Sequence, residues 1–310
     1  MKRLLFCLSL LLTSFLSPAQ LRIVSYNVEN LFDTEHDSLK YDQDFLPDGK
    51  YHWTLSRYIN KINNLSRVIV SIGEWQIPAI VGLCEVENER CLKDLVENGP
   101  LRKQGYRYVH RESPDQRGID CALLYQPKKF QLLSSDFFSV PLPEDERPTR
   151  EIVYAKGIFN KRDTLHVMLC HLPSQLGGTQ KTAHKRAIAL GVLQQKVDSL
   201  LSLNMEAQII IMGDMNMRPV DALRGMHNLM LPFEERNEGT HKWQGEWSCL
   251  DQFYVSDALV DKSVAHIYAA EWLQCVDDKY GGMQPYRCFY GYEYRNGYSD
   301  HLPVYLEIVR

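Results

Sequence analysis

The chain has 310 residues, 45% of them hydrophobic and 24% charged, with a formal net charge of −4. That is the composition of a globular protein. The acidic balance argues against a chain that depends on non-specific nucleic-acid affinity, which calls for a basic face, but it leaves room for a local basic patch.

Residues 1–19 read as a secretory signal. Lys2 and Arg3 give a basic start, Leu4 to Leu12 a short apolar stretch, and Ser17-Pro18-Ala19 small residues for cleavage. The apolar stretch is too short for a membrane span, and nothing later approaches a spanning length. No Cys follows the cleavage position, so a lipoprotein anchor is not expected. The mature chain, residues 20–310, is expected to be a single domain, secreted or periplasmic, and more acidic for the loss of Lys2 and Arg3.

Strand and helix patterns then alternate. Residues 21–28 read as the first strand. Residues 54–72 carry Leu55, Tyr58, Ile62, Leu65, Val68, Ile69 and Ile72 at helical spacing, with Thr54 placed to cap. Residues 79–84 read as a buried strand and 89–97 as a short helix stopped by Gly99-Pro100. Strand pairs follow at 106–110 with 119–125 and at 153–159 with 164–170, then a long helix at 182–203. Strands at 209–212, 252–255 and 302–308 complete the set. This mixture implies an α/β fold with more than one sheet. The long loops 33–52, 141–150 and 272–297 are where substrate choice is expected. The tyrosines of the last are expected chiefly to pin it, with stacking on a base or packing on a lipid as alternatives.

Chemically capable residues stand where these strands end or begin. Asn27 and Glu29 end the first, Glu85 and Glu87 the second, His171 the strand at 164–170, and Asp214 and Asn216 the strand at 209–212. Asp251 opens the strand at 252–255, and Asp300 and His301 precede the last. Polar groups kept at the edge of a core are usually there to bind or react. Carboxylates hold hard cations through oxygen, histidines donate to phosphoryl oxygens or carry protons near neutral pH, and Asn orients without titrating. If the second strand continues, Glu87 faces the same side as Glu85; otherwise it is a solvated loop residue.

The ordered set Ser25-Tyr26-Asn27, Cys84-Glu85, Cys170-His171, Gly213-Asp214-Met215-Asn216, Asp251 and Ser299-Asp300-His301 resembles the endonuclease/exonuclease/phosphatase superfamily over nearly the whole mature chain. That group includes deoxyribonuclease I, abasic-site endonucleases, inositol-polyphosphate phosphatases and bacterial sphingomyelinases. The resemblance implies a four-layer α/β sandwich, two packed mixed β-sheets flanked by helices. It implies a phosphoester hydrolase dependent on Mg²⁺ or Mn²⁺, nuclease-like, acting by in-line attack of water. By the same resemblance Glu85, Asn27 and Asp300 serve the metal, and His171, Asp214, Asn216, Asp251 and His301 the catalysis. Asp214 would activate water, Asn216 and His171 contact the phosphate, and Asp251 orient His301. Arg117, Arg186 and Glu29 are the expected substrate contacts. Cys84 stands where the family usually carries Gln, a departure beside the metal ligand.

The expected partner is a phosphoester substrate, nucleic acid among the candidates, met by a monomer without stable membrane insertion. A lipid or small-molecule phosphodiesterase of the sphingomyelinase kind is the alternative on the same fold. A catalytically silent binding protein is the alternative of another class, and the intact set of polar residues argues against it. Of eight cysteines Cys7 lies in the signal, and Cys84, Cys121 and Cys170 read as small buried hydrophobes. Cys275 and Cys288 flank a loop and are open to pairing in an oxidising compartment. No Cys-x-x-Cys occurs, so a structural zinc site is not expected.

Overall fold

The computed structural model describes residues 21–309 apart from positions 75, 160 and 176; the expected signal segment lies outside the described residues. Strand β1 (Leu21–Leu31) is followed by helix α1 (Leu55–Gly73), which crosses to β2 (Ile80–Val86), parallel to β1. After α2 (Glu89–Lys93), β3 (Arg107–His110) and β4 (Asp120–Tyr125) extend this sheet antiparallel beyond β2. A second sheet begins with β5 (Phe130–Phe138), β6 (Ile152–Phe159) and β7 (Asp163–His171). Helix α3 (Ala183–Leu203) then crosses to β8 (Gln208–Asp214), parallel to β7. Strand β9 (Met226–Asn228) is this sheet's far edge, and β10 (His241–Trp243) with β11 (Glu246–Ser248) forms a separate ribbon. Strand β12 (Asp251–Ser256) lies between β8 and β9, and β13 (Ser263–Ile267) returns to the first sheet. Two small ribbons follow, β14 (Gln274–Val276) with β15 (Met283–Pro285) and β16 (Phe289–Tyr290) with β17 (Glu293–Tyr294), before β18 (Val304–Ile308) slots between β13 and β1.

Both six-stranded sheets are therefore mixed, each with one parallel pair at its centre, and the chain forms the α/β sandwich expected. A parallel pair needs a long crossover, and α1 and α3 supply it on the outer faces. Ile23, Leu123, Leu169 and Met212 meet between the sheets. Leu65, Val68 and Ile69 of α1 cover the outside of the first sheet, and Ala189, Leu193 and Val197 of α3 the outside of the second. Each such leucine, isoleucine or valine side chain removed from water contributes about 1.5–3 kcal/mol. The sheets approach so closely at Gly82 that a Cβ there would lie 2.7 Å from Leu169 Cδ1 and from Met212 Cε.

Several elements depart from the sequence reading. Strand β5 was not visible because Ser134, Ser135 and Asp136 lie exposed on an edge, where alternation is not enforced. The helix expected over 89–97 is capped by Asn88, whose side chain accepts from Cys91 N, but α2 ends at Lys93 and the chain continues as a wider π turn. Thr54 enters α1 in an extended conformation without a side-chain cap bond. The pairing open to Cys275 and Cys288 is not made, and all seven described cysteines are free. Cys275 lies on β14 opposite Gln284, whereas Cys288 is buried in the core under α1. The aromatic loop is pinned as expected: Tyr51 meets Phe289 at 4.7 Å and Tyr292 at 5.3 Å, and the Arg57 guanidinium lies 4.4 Å from the Tyr294 ring. Among the described residues no helix is long and apolar enough to cross a membrane.

Candidate active site

The ends of β1, β2, β7 and β8 open onto one cleft of about 560 Å³, lined among others by Asn27, Glu85, His171, Asp214, Asp300 and His301. The register explains the convergence. Asn27 pairs with Cys84 across the first sheet, His171 with Asp214 across the second, and Asp251 with Asp214 on the other side. Both strands of the first pair slip in register here, between Asn27 and Leu31 and between Cys84 and Val86. Glu85 sits at φ 71 and Asn216 at φ 47, left-handed backbone that costs an L-residue of order 1–3 kcal/mol and persists where the surroundings hold it. Gly213, at φ 138, precedes Asp214; a Cβ there would stand 1.8 Å from Cys170 O, so only glycine lets β8 lie against β7 at this point.

Asp214 is the hub. Its Oδ2 accepts from Asn27 Nδ2 at 3.1 Å and lies 3.4 Å from His171 Nε2 and 3.9 Å from His301 Nε2, while its Oδ1 accepts from Asn216 N at 2.8 Å. Burial outweighs these partners and pushes the carboxyl up to about 7. His301 Nδ1 is 2.7 Å from Asp251 Oδ2. Burial opposes its charge, but Asp251, with Asp214 and Asp300 near, raises it well above the usual histidine range. His171 goes the other way. Burial, then the positive charges of Arg150, Arg117 and His301, hold it well below that range, and its Nδ1 is buried without a partner.

Glu85 Oε2 accepts from Asn30 N at 2.9 Å, and Oε1 faces Asn27 Nδ2 at 3.3 Å and His171 Nε2 at 3.9 Å. Asp300 Oδ2 accepts from Arg287 Nη2 at 2.9 Å. Burial would raise the Asp300 carboxyl, but Arg287, His301 and His241 prevail and bring it to about 2. Ligand atoms of Asp300, His241 and His301 lie within 4.8 Å of one another. An ionised carboxylate at Asp300 and the cleft-facing Glu85 form an oxygen donor set suited to a hard divalent cation.

Three expectations need correction. Asn27 turns its amide nitrogen to Glu85 and Asp214, and its Oδ1 accepts from Glu29 N at 3.0 Å, so it bridges two carboxylates rather than offering oxygen to a metal. Glu29, expected to touch substrate, is buried away from the cleft, where it accepts from Cys288 N at 2.6 Å and Phe289 N at 3.2 Å. Arg186 is likewise buried and holds the cleft-lining loop from behind, donating to Pro173 O, Thr182 Oγ1 and Thr179 O. Arg117 does line the cleft, half exposed, with its guanidinium 3.4 Å from Asp115. Asn216 lines it too and donates to Leu172 O at 3.0 Å. Glu87 is neither a cleft residue nor solvated: the turn at Glu85 breaks the strand alternation, and Glu87 is buried, accepting from Asp33 N at 2.7 Å.

The sequence reading missed His241, Trp243 and Gln175, all of which line the cleft, and Arg150 behind His171. None ends an apolar run. His241 is brought in by an isolated bridge to His301, and Gln175 by its bond to Asn216 O at 2.9 Å.

A family model described as "Endonuclease/Exonuclease/phosphatase family" matches residues 22–310. No curated protein matches the sequence. Among solved structures, truncated Caenorhabditis elegans TDP2 is similar with a TM-score of 0.62 and 16% identity, covering 94% of this chain and 98% of that one. D. rerio TDP2 complexed with a single-strand DNA product gives 0.58 and 17%, covering 94% and 100%. A Bacteroides thetaiotaomicron mannosyl-6-phosphatase gives 0.59 and 17%, again covering 94% and 100%.

Proposed function

Because the chain belongs to the Endonuclease/Exonuclease/phosphatase family of phosphoester hydrolases, we propose that it is a divalent-metal-dependent phosphodiesterase acting by in-line attack of water. The observation that carries this reading is Asp214 Oδ2 standing between two imidazoles of opposite tendency, 3.4 and 3.9 Å away, in a cleft that also presents Glu85 and Asp300.

Glu85 and Asp300 would hold Mg²⁺ or Mn²⁺, which when bound neutralises charge on the phosphoryl oxygens and on the departing oxygen. The remaining work falls to the chain. Asp214, with its carboxyl near 7, takes a proton from the attacking water. His301, kept charged by Asp251, donates to a phosphoryl oxygen as negative charge builds there. His171, kept neutral, offers Nε2–H to another. Asn27 keeps Glu85 and Asp214 apart by donating to both. Arg117 and the exposed ring of Trp243 at the rim can hold the group beyond the diester.

One structural relative is complexed with single-strand DNA product and another is a sugar phosphatase, so both diesters and monoesters belong in the test. Residues 1–19 support a secreted or periplasmic enzyme. The test is hydrolysis of bis(p-nitrophenyl) phosphate, p-nitrophenyl phosphate, plasmid DNA and sphingomyelin with Mg²⁺, Mn²⁺ or chelator. Chelator-sensitive diester turnover is expected. Turnover of the monoester alone, or of nothing by folded metal-loaded protein, would overturn the reading.

A further inference from the structure

A second cavity of about 600 Å³ opens in the 272–297 loop, and Arg287 stands between it and the catalytic cleft. One side of the guanidinium meets Asp300, the carboxylate that faces the cleft, at 2.9 Å. The rest of the side chain walls the second cavity together with Lys279, Arg295, Tyr286 and Tyr290. Arg287 Nε is buried, makes no hydrogen bond and faces the Glu29 carboxylate at 3.8 Å. Two carboxylates also line the cavity, but Asp277 is already taken by Lys242 Nζ at 2.9 Å and by the N–H groups of Lys279 and Tyr280. Of the three cations, Arg287 is paired with Asp300 at 2.9 Å and Arg295 with the exposed Glu293 at 3.1 Å, and the exposed Asp278 lines the cavity beside Lys279.

The cavity wall is held by a buried residue two positions from Asn27. Glu29, at the turn that ends β1, accepts from Cys288 N and Phe289 N, and this staple fixes the backbone next to Arg287.

We propose that this cavity is a second anion subsite, which takes a further phosphate of the substrate while the scissile one lies in the cleft. The arrangement suits a phosphate because the ammonium of Lys279 and the planar guanidinium of Arg295, whose partner Glu293 is exposed and held only at the surface, are solvent-facing donors, and the Tyr290 hydroxyl adds a neutral one, the Tyr286 hydroxyl being donated to Arg295 O. An acidic chain thus concentrates positive charge beside its catalytic carboxylates, where a substrate with more than one phosphate needs it. The inference rests on the phosphodiesterase reading for its place in turnover, but the binding site stands or falls independently.

The experiment is calorimetric titration, without divalent ions, of thymidine 3′,5′-bisphosphate and thymidine 5′-phosphate into the whole protein and into a Lys279→Gln/Arg295→Gln variant. The wild type is expected to bind the bisphosphate at least about tenfold more tightly, and the variant to lose that preference. Hydrolysis of bis(p-nitrophenyl) phosphate, which carries one phosphate, is expected to be unchanged in the variant. Equal affinities for the two nucleotides, or a preference that survives both substitutions, would overturn the subsite. Failure of either protein to hydrolyse the diester, with the binding preference intact, would overturn the catalytic reading and leave the subsite standing.

Discussion

His171 and His301 approach the same carboxylate oxygen from the two sheets, at 3.4 and 3.9 Å, yet their surroundings drive them to opposite charge states. His171 ends β7 with Arg150 and Arg117 near it and an unpartnered Nδ1. His301 precedes β18 with its Nδ1 tied to Asp251 across the sandwich. Both are buried, so burial alone would have made both neutral. What separates them is the partner at Nδ1 and the cations behind it: His301 is tied to Asp251 at 2.7 Å, whereas the Nδ1 of His171 has no partner and Arg150 and Arg117 add to the effect of burial. The cleft therefore holds a charged donor and a neutral one around a single carboxylate.

The shared base gives the largest test. Asp214→Ala removes the group both histidines face, and a fall in kcat of about 10³–10⁴-fold is expected in steady-state diester hydrolysis. His301→Ala is expected to cost about 10²–10³-fold, and His171→Ala a similar or smaller factor, because each removes one donor to a developing oxyanion. If His171→Ala alone spares kcat, the neutral side of the comparison is structural.

Asp251→Asn sharpens the difference itself. It keeps the shape but removes the charge that raises His301, and a loss of about 10–100-fold is expected, with the alkaline limb of the pH–rate profile moved to lower pH. Stability follows the same linkage. His301 is raised when folded, so its pairing stabilises fully below the unfolded value of about 6.5 and is lost as pH rises through the higher folded value. The gap in melting temperature between wild type and Asp251→Asn should be widest below about pH 6.5 and close at alkaline pH. A gap independent of pH would mean that His301 is not charged in the native state.

The smallest effect on chemistry is expected from Arg186→Met. It strands the carbonyls of Pro173 and Thr179 behind the loop that brings Gln175 to the cleft. A stability loss of about 1–3 kcal/mol by urea unfolding is expected, with KM affected more than kcat. A fall in kcat as large as that of His301→Ala would instead return Arg186 to the reacting groups.

Much of this was legible in the chain. Runs such as Ile209-Ile210-Ile211-Met212 read as buried strands, and the capable residues that end them, Glu85, His171 and Asp214, do line one cleft. Legibility failed where an interaction is long-range or an element is exposed. Glu29 and Arg186 stand beside the site motifs in the sequence, and only the partners at Cys288, Phe289, Pro173 and Thr179 reveal that they brace loops. Asn27 was rightly placed at the site, but which end of its amide faces the carboxylates depends on the Glu29 N–H.

The sequence by itself determined the alternation of buried strands with two long helices, and which polar residues stand at the strand ends, because apolar periodicity and local chemistry are written in adjacent residues. Tertiary structure alone decided that Arg150 stands behind His171 and that Arg287 closes on Asp300. The charge of a buried group depends on neighbours within a few ångströms, and in this fold those neighbours come from distant parts of the chain.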